Sequence, residues 1–338
     1  MIFTGVVLVA VYAYMLTTAG GNSLSQTLQE LEPQRLVLPL VATLLSYITM
    51  SLSYEGITRA AGAKVSTSEM LRITFVANTV NYVLPTGGLS GFALRMFLLN
   101  KKGVTAGRAV LISFTQTLLT NLMLMVFIVY GLVYLMMSQR LETFSIVLVS
   151  LVVAGLTLFL VVCFLMVYRK SLRKRLFDRL IDLSDRMLVR FHRYERYGRR
   201  SHSFFAHIDE GLRFFAAKPK AMVLPLFWIF LDWVFTIAVL YAAFYSIGSH
   251  VSFGQVVIAF SVGIVFAVLS FVPGGVGVLE VALQSMFESG GVPKHEAVLA
   301  ILIFRVSFYV IPMLLAMILA RSAFAEADAQ SVSPDEIA

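Results

Sequence analysis

Long apolar runs dominate this chain, and their lengths set the reading. Six are long enough to cross a bilayer at about 20 residues per crossing: roughly 2–19, 35–54, 107–136, 141–168, 221–247 and 297–320. Two further apolar regions, 70–100 and 255–289, are broken near their middles by Pro85-Thr86-Gly87-Gly88 and by Pro273-Gly274-Gly275. Proline removes a backbone donor and glycine frees the turn, so a helix stops at such a break. Each half is about 15 residues, or about 22 Å of helix. That length suits a re-entrant hairpin whose tip lies near the midplane, shielded by protein. The pattern predicts an all-α integral membrane protein. Residues 1–338 form a single membrane domain of about six transmembrane helices plus two re-entrant helical hairpins. Run 2–19 lacks a basic start and is read as a first transmembrane helix, not a cleaved leader.

The two broken regions are copies of each other. A shift of 188 lays Pro85 on Pro273, Gly87 on Gly275, Gly103 on Gly291, and Ala109-Val110-Leu111 on Ala297-Val298-Leu299. Three crossings separate the copies, and an odd number inverts the second. The expected architecture is an inverted-topology repeat, with a first unit at about 35–136 and a second at about 221–320. Transporters built this way place the site at the midplane, where broken helices meet. Half-helix N-termini just after Gly88 and Gly275 would offer free N–H groups and a positive dipole end to a phosphate or carboxylate. Gly87, Gly88, Gly274 and Gly275 are therefore candidate substrate-binding positions.

Composition and charge add orientation. Of 338 residues 59% are hydrophobic and 14% charged, against about 25% charged in soluble domains. The mean hydropathy is +0.84. The net charge of +8 comes from one segment: residues 169–220 hold 15 Lys or Arg against six Asp or Glu, leaving the remainder at −1. The positive-inside rule places 169–220 in the cytoplasm. Arg59, Lys64 and Arg72 before the first hairpin, and Lys101, Lys102 and Arg108 after it, put both its ends there too. The second hairpin has no flanking basic excess and enters from outside. The C-terminus is expected in the cytoplasm, and the protein in the cell inner (cytoplasmic) membrane. Within 171–191, Leu172, Leu176, Leu180, Leu183, Met187 and Phe191 form an apolar stripe, with Arg173, Lys174, Arg179, Arg186 and Arg190 between. This predicts a basic amphipathic helix drawn to anionic lipid at the cytoplasmic face. Phe204, Phe205, Ile208, Leu212 and Phe215 suggest a second. Nucleic acid is the rival partner for a basic segment, and a position between two spans argues against it.

Four ionisable residues fall inside the hydrophobic regions: Arg95, Asp232, Glu280 and Arg305. Each costs at least about 2.5 kcal/mol at the bilayer centre unless paired, so partners are expected. Glu280 and Arg305 come out at similar depths, about 7.5 Å from the hairpin tip and about 12 Å from the outer surface, and could pair. Such a pair either locks the hairpin to the last helix or lets Arg305 bind an anionic headgroup. Arg95 lies nearer the cytoplasmic face, where snorkelling competes with substrate binding. Asp232 sits near the midplane beside Trp233. Asn81, with Asn78, Gln116 and Asn121, adds polar groups to the first unit. One cysteine and five histidines without ligand spacing give no metal site, and no cofactor is expected. HExxH, Walker A, GxSxG and CxxC patterns are absent.

The run from Asn81 through Pro85-Thr86-Gly87-Gly88 to Arg95, then Pro273-Gly274-Gly275-Val276-Gly277-Val278-Leu279-Glu280, then Arg305, resembles the lysylphosphatidylglycerol synthase transmembrane family, also called the flippase-like domain family. Many relatives carry an acidic residue a few positions before the arginine matched by Arg95; here Phe92 and Ala93 stand there. The resemblance implies a lipid flippase module, similar to the part of multiple peptide resistance factors that translocates aminoacylated phosphatidylglycerol. Those proteins add a soluble aminoacyl-transferase domain, and none is expected in this chain, which is therefore read as no enzyme. The expected function is translocation of a phospholipid or lipid-linked headgroup between leaflets. The alternatives are a secondary transporter of a small anion and a non-transporting membrane partner of a lipid-modifying enzyme. Self-association is compatible with each.

Overall fold

The computed structural model describes residues 32–83, 89–138, 143–190, 209–210, 213–214, 216–270, 272 and 275–318. All of the regular structure among them is helical. A short 3₁₀ turn at Pro33–Leu36 leads into α1 (Val37–Ala60), followed by α2 (Thr67–Val83), α3 (Leu89–Lys101), α4 (Ala106–Ser138), α5 (Thr143–Tyr168) and α6 (Lys170–Arg190). Then come α7 (Pro219–Ser246), α8 (Phe253–Leu269), α9 (Val278–Ser289) and α10 (Lys294–Arg305). The last continues through a π-helical turn, Val306–Val310, to Ile318.

Four of these helices are long and apolar enough to cross a bilayer: Pro33–Ala60, Ala106–Met137, Pro219–Ser246 and Lys294–Ile318. They match the expected runs at 35–54, 107–136, 221–247 and 297–320. The run at 141–168 is helical as α5, and a fifth crossing is counted where α5 is joined to the start of α6 across a 117° bend. Run 2–19 lies outside the described residues.

The packing of α1 identifies its solvent. Thr43, Ser46, Thr49, Ser51, Ser53, Glu55 and Thr58 are buried, while Val37, Leu38, Leu40, Val41, Leu44 and Leu45 are exposed. A water-soluble helix does the reverse. Hydrocarbon cannot hydrogen-bond, so the polar side chains turn inward and find partners. Thr43, Ser51 and Thr58 donate to the carbonyls four residues back, and Ser53 donates to Gln116 Oε1 of α4 at 2.8 Å. The face opposite the lipid packs against α7 along much of its length. Gly56 makes that approach close: a Cβ there would lie 2.8 Å from the Pro225 ring.

Around this central pair sit two helix–break–helix elements. The halves α2 and α3 pack on each other across residues 84–88, and α8 packs on α9 across 270–277. The same turns are built in both. The chain leaves α1 at Gly62 (φ +77°) and α7 at Gly248 (φ +73°). Gly62 N–H donates to Arg59 and Ala63 N–H to Thr58; Gly248 N–H donates to Tyr245 and Ser249 N–H to Phe244. Left-handed glycines end helices this way because they carry no Cβ. A reciprocal cap then starts the next helix, between Ser66 and Glu69 in one case and Ser252 and Gln255 in the other. The turns after α3 and α9 also match, at Gly103 (φ +79°) and Gly291 (φ +85°). Corresponding residues stand 186 apart before the break and 188 after it, so the second break is two residues longer than the ungapped register implied. Pro85, Gly87, Gly88, Pro273 and Gly274 lie outside the described residues. Gly275 is buried with φ +63°, and a Cβ there would come 2.7 Å from that of Ala267.

The mouth of each element is closed from the same helical position. Glu69 Oε1 accepts from Lys102 Nζ at 2.7 Å, and Gln255 Nε2 donates to the Gly290 carbonyl at 3.1 Å. The Lys102 ammonium, and then the Ser66 donors, hold the Glu69 carboxyl below its ordinary range against the opposing effect of desolvation.

One expectation for the surface helix changes. Lys174, Arg175 and Arg179 on α6 are exposed, as an amphipathic basic helix requires, and Leu172 and Leu176 are half-buried. Arg173 is not among the exposed cations. It is buried, with Nε 2.6 Å from Asp209 and one terminal nitrogen donating to the Met166 carbonyl at the end of α5. It fastens the 117° bend, a role that helical periodicity alone could not reveal. Phe204, Phe205, Ile208, Leu212 and Phe215 lie outside the described residues.

Two outcomes test this packing. Gly56→Val should cost about 1–3 kcal/mol by overpacking against the Pro225 ring, read as a lower unfolding temperature in detergent. Gly107→Ala, where nothing lies within 4 Å of the new Cβ, should not lower it. Because the Glu69 pKa is depressed by folding, its contribution is present above the ordinary carboxylate range and lost as pH falls through the lowered value. Hydrogen exchange at the start of α2 should therefore speed up on acidification, and Glu69→Gln should flatten that dependence.

Candidate functional site

The candidate site centres on a cavity of about 400 Å³ lined by α1–α4, α7, α8 and the last helix. From α1 it takes Met50 and Tyr54; from α2, Asn78 and Asn81; from α3, Gly91, Phe92 and Arg95. The α4 side contributes Gln116, Thr117, Thr120 and Asn121, and α7 contributes Asp232, Trp233 and Thr236. Aromatic rings close the remainder: Phe260 of α8 and Phe304, Phe308 and Tyr309 of the last helix.

Local packing explains how α3 delivers Arg95 inward. Gly91, one turn earlier, lies so close to α2 that a Cβ would meet the Ala77 carbonyl and Asn81 Cβ at 2.7 Å. The two helices thus share a tight contact that turns Arg95 into the bundle. Its side chain is only 5% exposed, so it does not snorkel. The guanidinium carbon sits 4.0 Å from the centre of the Tyr54 ring, a cation–π contact. Its Nε has no hydrogen-bond partner, and no carboxylate pairs with it among the described residues. Asn81 Oδ1 and Trp233 Nε1 are also buried without partners.

Asp232, on α7, lines the same cavity and is 8% exposed. Its Oδ1 accepts from Ser46 Oγ at 2.5 Å, and the Ser46 and Thr236 hydroxyls lie 3.2 Å apart. This network joins α7 to α1 near the middle of both helices.

Glu280 and Arg305 form the pair that their depths suggested, with Glu280 Oε1 2.8 Å from Arg305 Nε. The other Glu280 oxygen accepts from the Gly277 N–H at 2.7 Å, so a carboxylate of the chain itself occupies the N-terminus of α9. The Arg305 guanidinium rests 4.4 Å from the centre of the Tyr309 ring. Neither charged residue lines the cavity; Tyr309 stands between. Among the sequence candidates, Asn81, Arg95 and Asp232 meet in one space, Glu280 and Arg305 form a neighbouring support, and Gly275 shapes the second break. Gly87, Gly88 and Gly274 lie outside the described residues. Tyr54 and Tyr309, the rings under the two arginines, were not singled out by sequence. Tyr309 stands four residues after Arg305, a spacing that places two side chains on one helical face.

An all-helical, multi-pass membrane protein with a charged internal cavity is the class these features define. The chain belongs to the family described as Lysylphosphatidylglycerol synthase TM region, whose profile matches residues 1–316. Over 93 residues it is 30% identical to the phosphatidylglycerol lysyltransferase of Staphylococcus aureus (strain COL), covering 28% of this chain and 11% of that protein. It is 29% identical over 93 residues to the enzyme of the same name from Staphylococcus haemolyticus (strain JCSC1435), with the same coverage. The match thus spans a small part of these relatives' length.

Removing one member of a buried ion pair strands the other, at about 3–5 kcal/mol. Glu280→Gln and Arg305→Met should each lower the unfolding temperature sharply. The double variant should be less destabilised than the sum of the two, a coupling read from a double-mutant cycle.

Proposed function

We propose that the chain is a membrane lipid translocase, carrying a phospholipid or lipid-linked headgroup between leaflets through the cavity, without aminoacyl-transfer chemistry of its own. Arg95 carries this reading. A guanidinium buried in a membrane domain without a counter-charge costs several kcal/mol, and a ligand phosphate would offset that cost. The planar fork of an arginine matches two phosphate oxygens at once. Asn81 lies on the same wall with an unused acceptor, suited to a headgroup hydroxyl or ammonium. The Glu280–Arg305 pair acts as a support, fixing Tyr309 at the cavity wall.

Helix lengths support the re-entrant arrangement. The halves α2, α3, α8 and α9 have 17, 13, 17 and 12 residues, or about 18–25 Å each. A hydrocarbon core is about 30 Å thick. Matching turns and caps in the two elements support repeat units at about 35–136 and 221–320. Basic residues at the mouth of the first element and in 169–220 support a cytoplasmic location for both, and for the C-terminus, in the cell inner membrane. Anionic lipid would gather against the exposed cations of α6. The relatives' name, phosphatidylglycerol lysyltransferase, supports a phospholipid ligand.

Liposomes holding the purified protein and a labelled phospholipid should redistribute the label about ten-fold faster than empty liposomes. Arg95→Gln should lose most of that gain, since one charge-assisted phosphate contact corresponds to about a ten-fold effect. No acceleration with any of several headgroups overturns the reading. Uptake of a soluble anion in its place would favour the secondary transporter, and a co-purifying lipid-modifying enzyme without transport would favour the partner role.

A further inference from the structure

The cavity carries a second ionisable group without a charged partner, and its placement specifies the ligand further. Asp232 is 8% exposed, and its carboxylate has the Ser46 hydroxyl as its hydrogen-bonding partner. Among the described residues no lysine, arginine or histidine pairs with it. Arg95, which lines the same cavity, is not within ion-pairing distance. Glu280 and Arg305 show that this fold can cancel two buried charges by direct contact. In the cavity it keeps a guanidinium and a carboxyl apart. A buried guanidinium without a counter-charge is costly, and a buried carboxyl without a cation is disfavoured as an ion; an occupant bearing both signs in the opposite order suits both groups at once.

The surroundings of the carboxylate select the cationic group. Trp233 is adjacent and lines the same cavity, with its indole 6.3 Å from the Phe260 ring in an edge-on arrangement. Phe304 and Phe308 stack at 5.7 Å and line the same space. Aromatic faces attract an ammonium and add to the pull of a carboxylate.

We infer that the cavity takes a zwitterionic headgroup, with a phosphodiester at Arg95 and a single ammonium between Asp232 and Trp233, in preference to a headgroup bearing phosphate alone. The inference rests on the translocase reading for the lipid source of that headgroup. The test is equilibrium binding of dihexanoyl phosphatidylethanolamine, phosphatidylcholine and phosphatidylglycerol to the full chain in detergent, with water-soluble phosphoethanolamine as a fourth probe. At least one ammonium-bearing lipid should bind about ten-fold tighter than the phosphatidylglycerol probe, the effect expected for one charge-assisted contact. Asp232→Asn, which keeps the acceptor for Ser46, should bring that ratio to about one. Trp233→Leu should reduce it without changing a charge, and serves if the first variant does not fold. Equal affinity for all three lipids, or a preference that survives Asp232→Asn, overturns the inference. Phosphoethanolamine binding as tightly as the lipids overturns the lipid source. Transport without preference would sink this inference alone, and preference without transport would sink the translocase alone.

Discussion

Hydrocarbon offers no hydrogen bonds, and that deficit organises the molecule. In α1 seven serine, threonine and glutamate side chains are buried while leucine and valine face outward. The inward polar side chains bond either to their own helix or across to α2, α4 and α7, so helix packing and polar satisfaction are one requirement. Helix ends are satisfied locally. At the exposed mouths of the two elements, left-handed glycines and reciprocal caps before α2 and α8 occupy terminal backbone groups.

Charge is handled in two ways, and the contrast sets the cavity apart from its surroundings. Glu280 meets both its own helix terminus and Arg305, so two opposite charges lie in direct contact. Arg95 and Asp232 are also buried but receive only a ring and a hydroxyl. A chain in which every buried charge served stability would have paired them. Their separation across one cavity is the feature that the proposed headgroup explains.

The sequence carried the parts of this picture that depend on local rules. Run lengths gave four of the observed spans, proline and glycine marked both breaks, and depth counting matched Glu280 to Arg305. What it missed depends on tertiary placement. Arg173 reads as one more surface cation by periodicity, yet it is buried against Asp209 because the chain bends at that point. The convergence of Arg95 and Asp232 needs α3 and α7 to face one cavity, which neither residue's neighbours announce. The ungapped register of the two copies missed a two-residue difference because the matching residues that set it lie within the break and after it, none before it. Gly62 and Gly248 carried the missing signal, since both precede a serine-led cap by four residues.

The π-helical turn at Val306–Val310 has a further effect on the last helix. A π turn places one more residue in the loop of its hydrogen bond than an α turn does, which sets the later residues back by about 100°, one residue's step, relative to an unbroken α-helix. Residues after Val310 are thus out of phase with those before Arg305. A single helical wheel drawn over the whole segment would rotate one half of it away from its true neighbours. The side that holds the Glu280 contact and the side that meets lipid beyond the turn are two different stripes of the same rod.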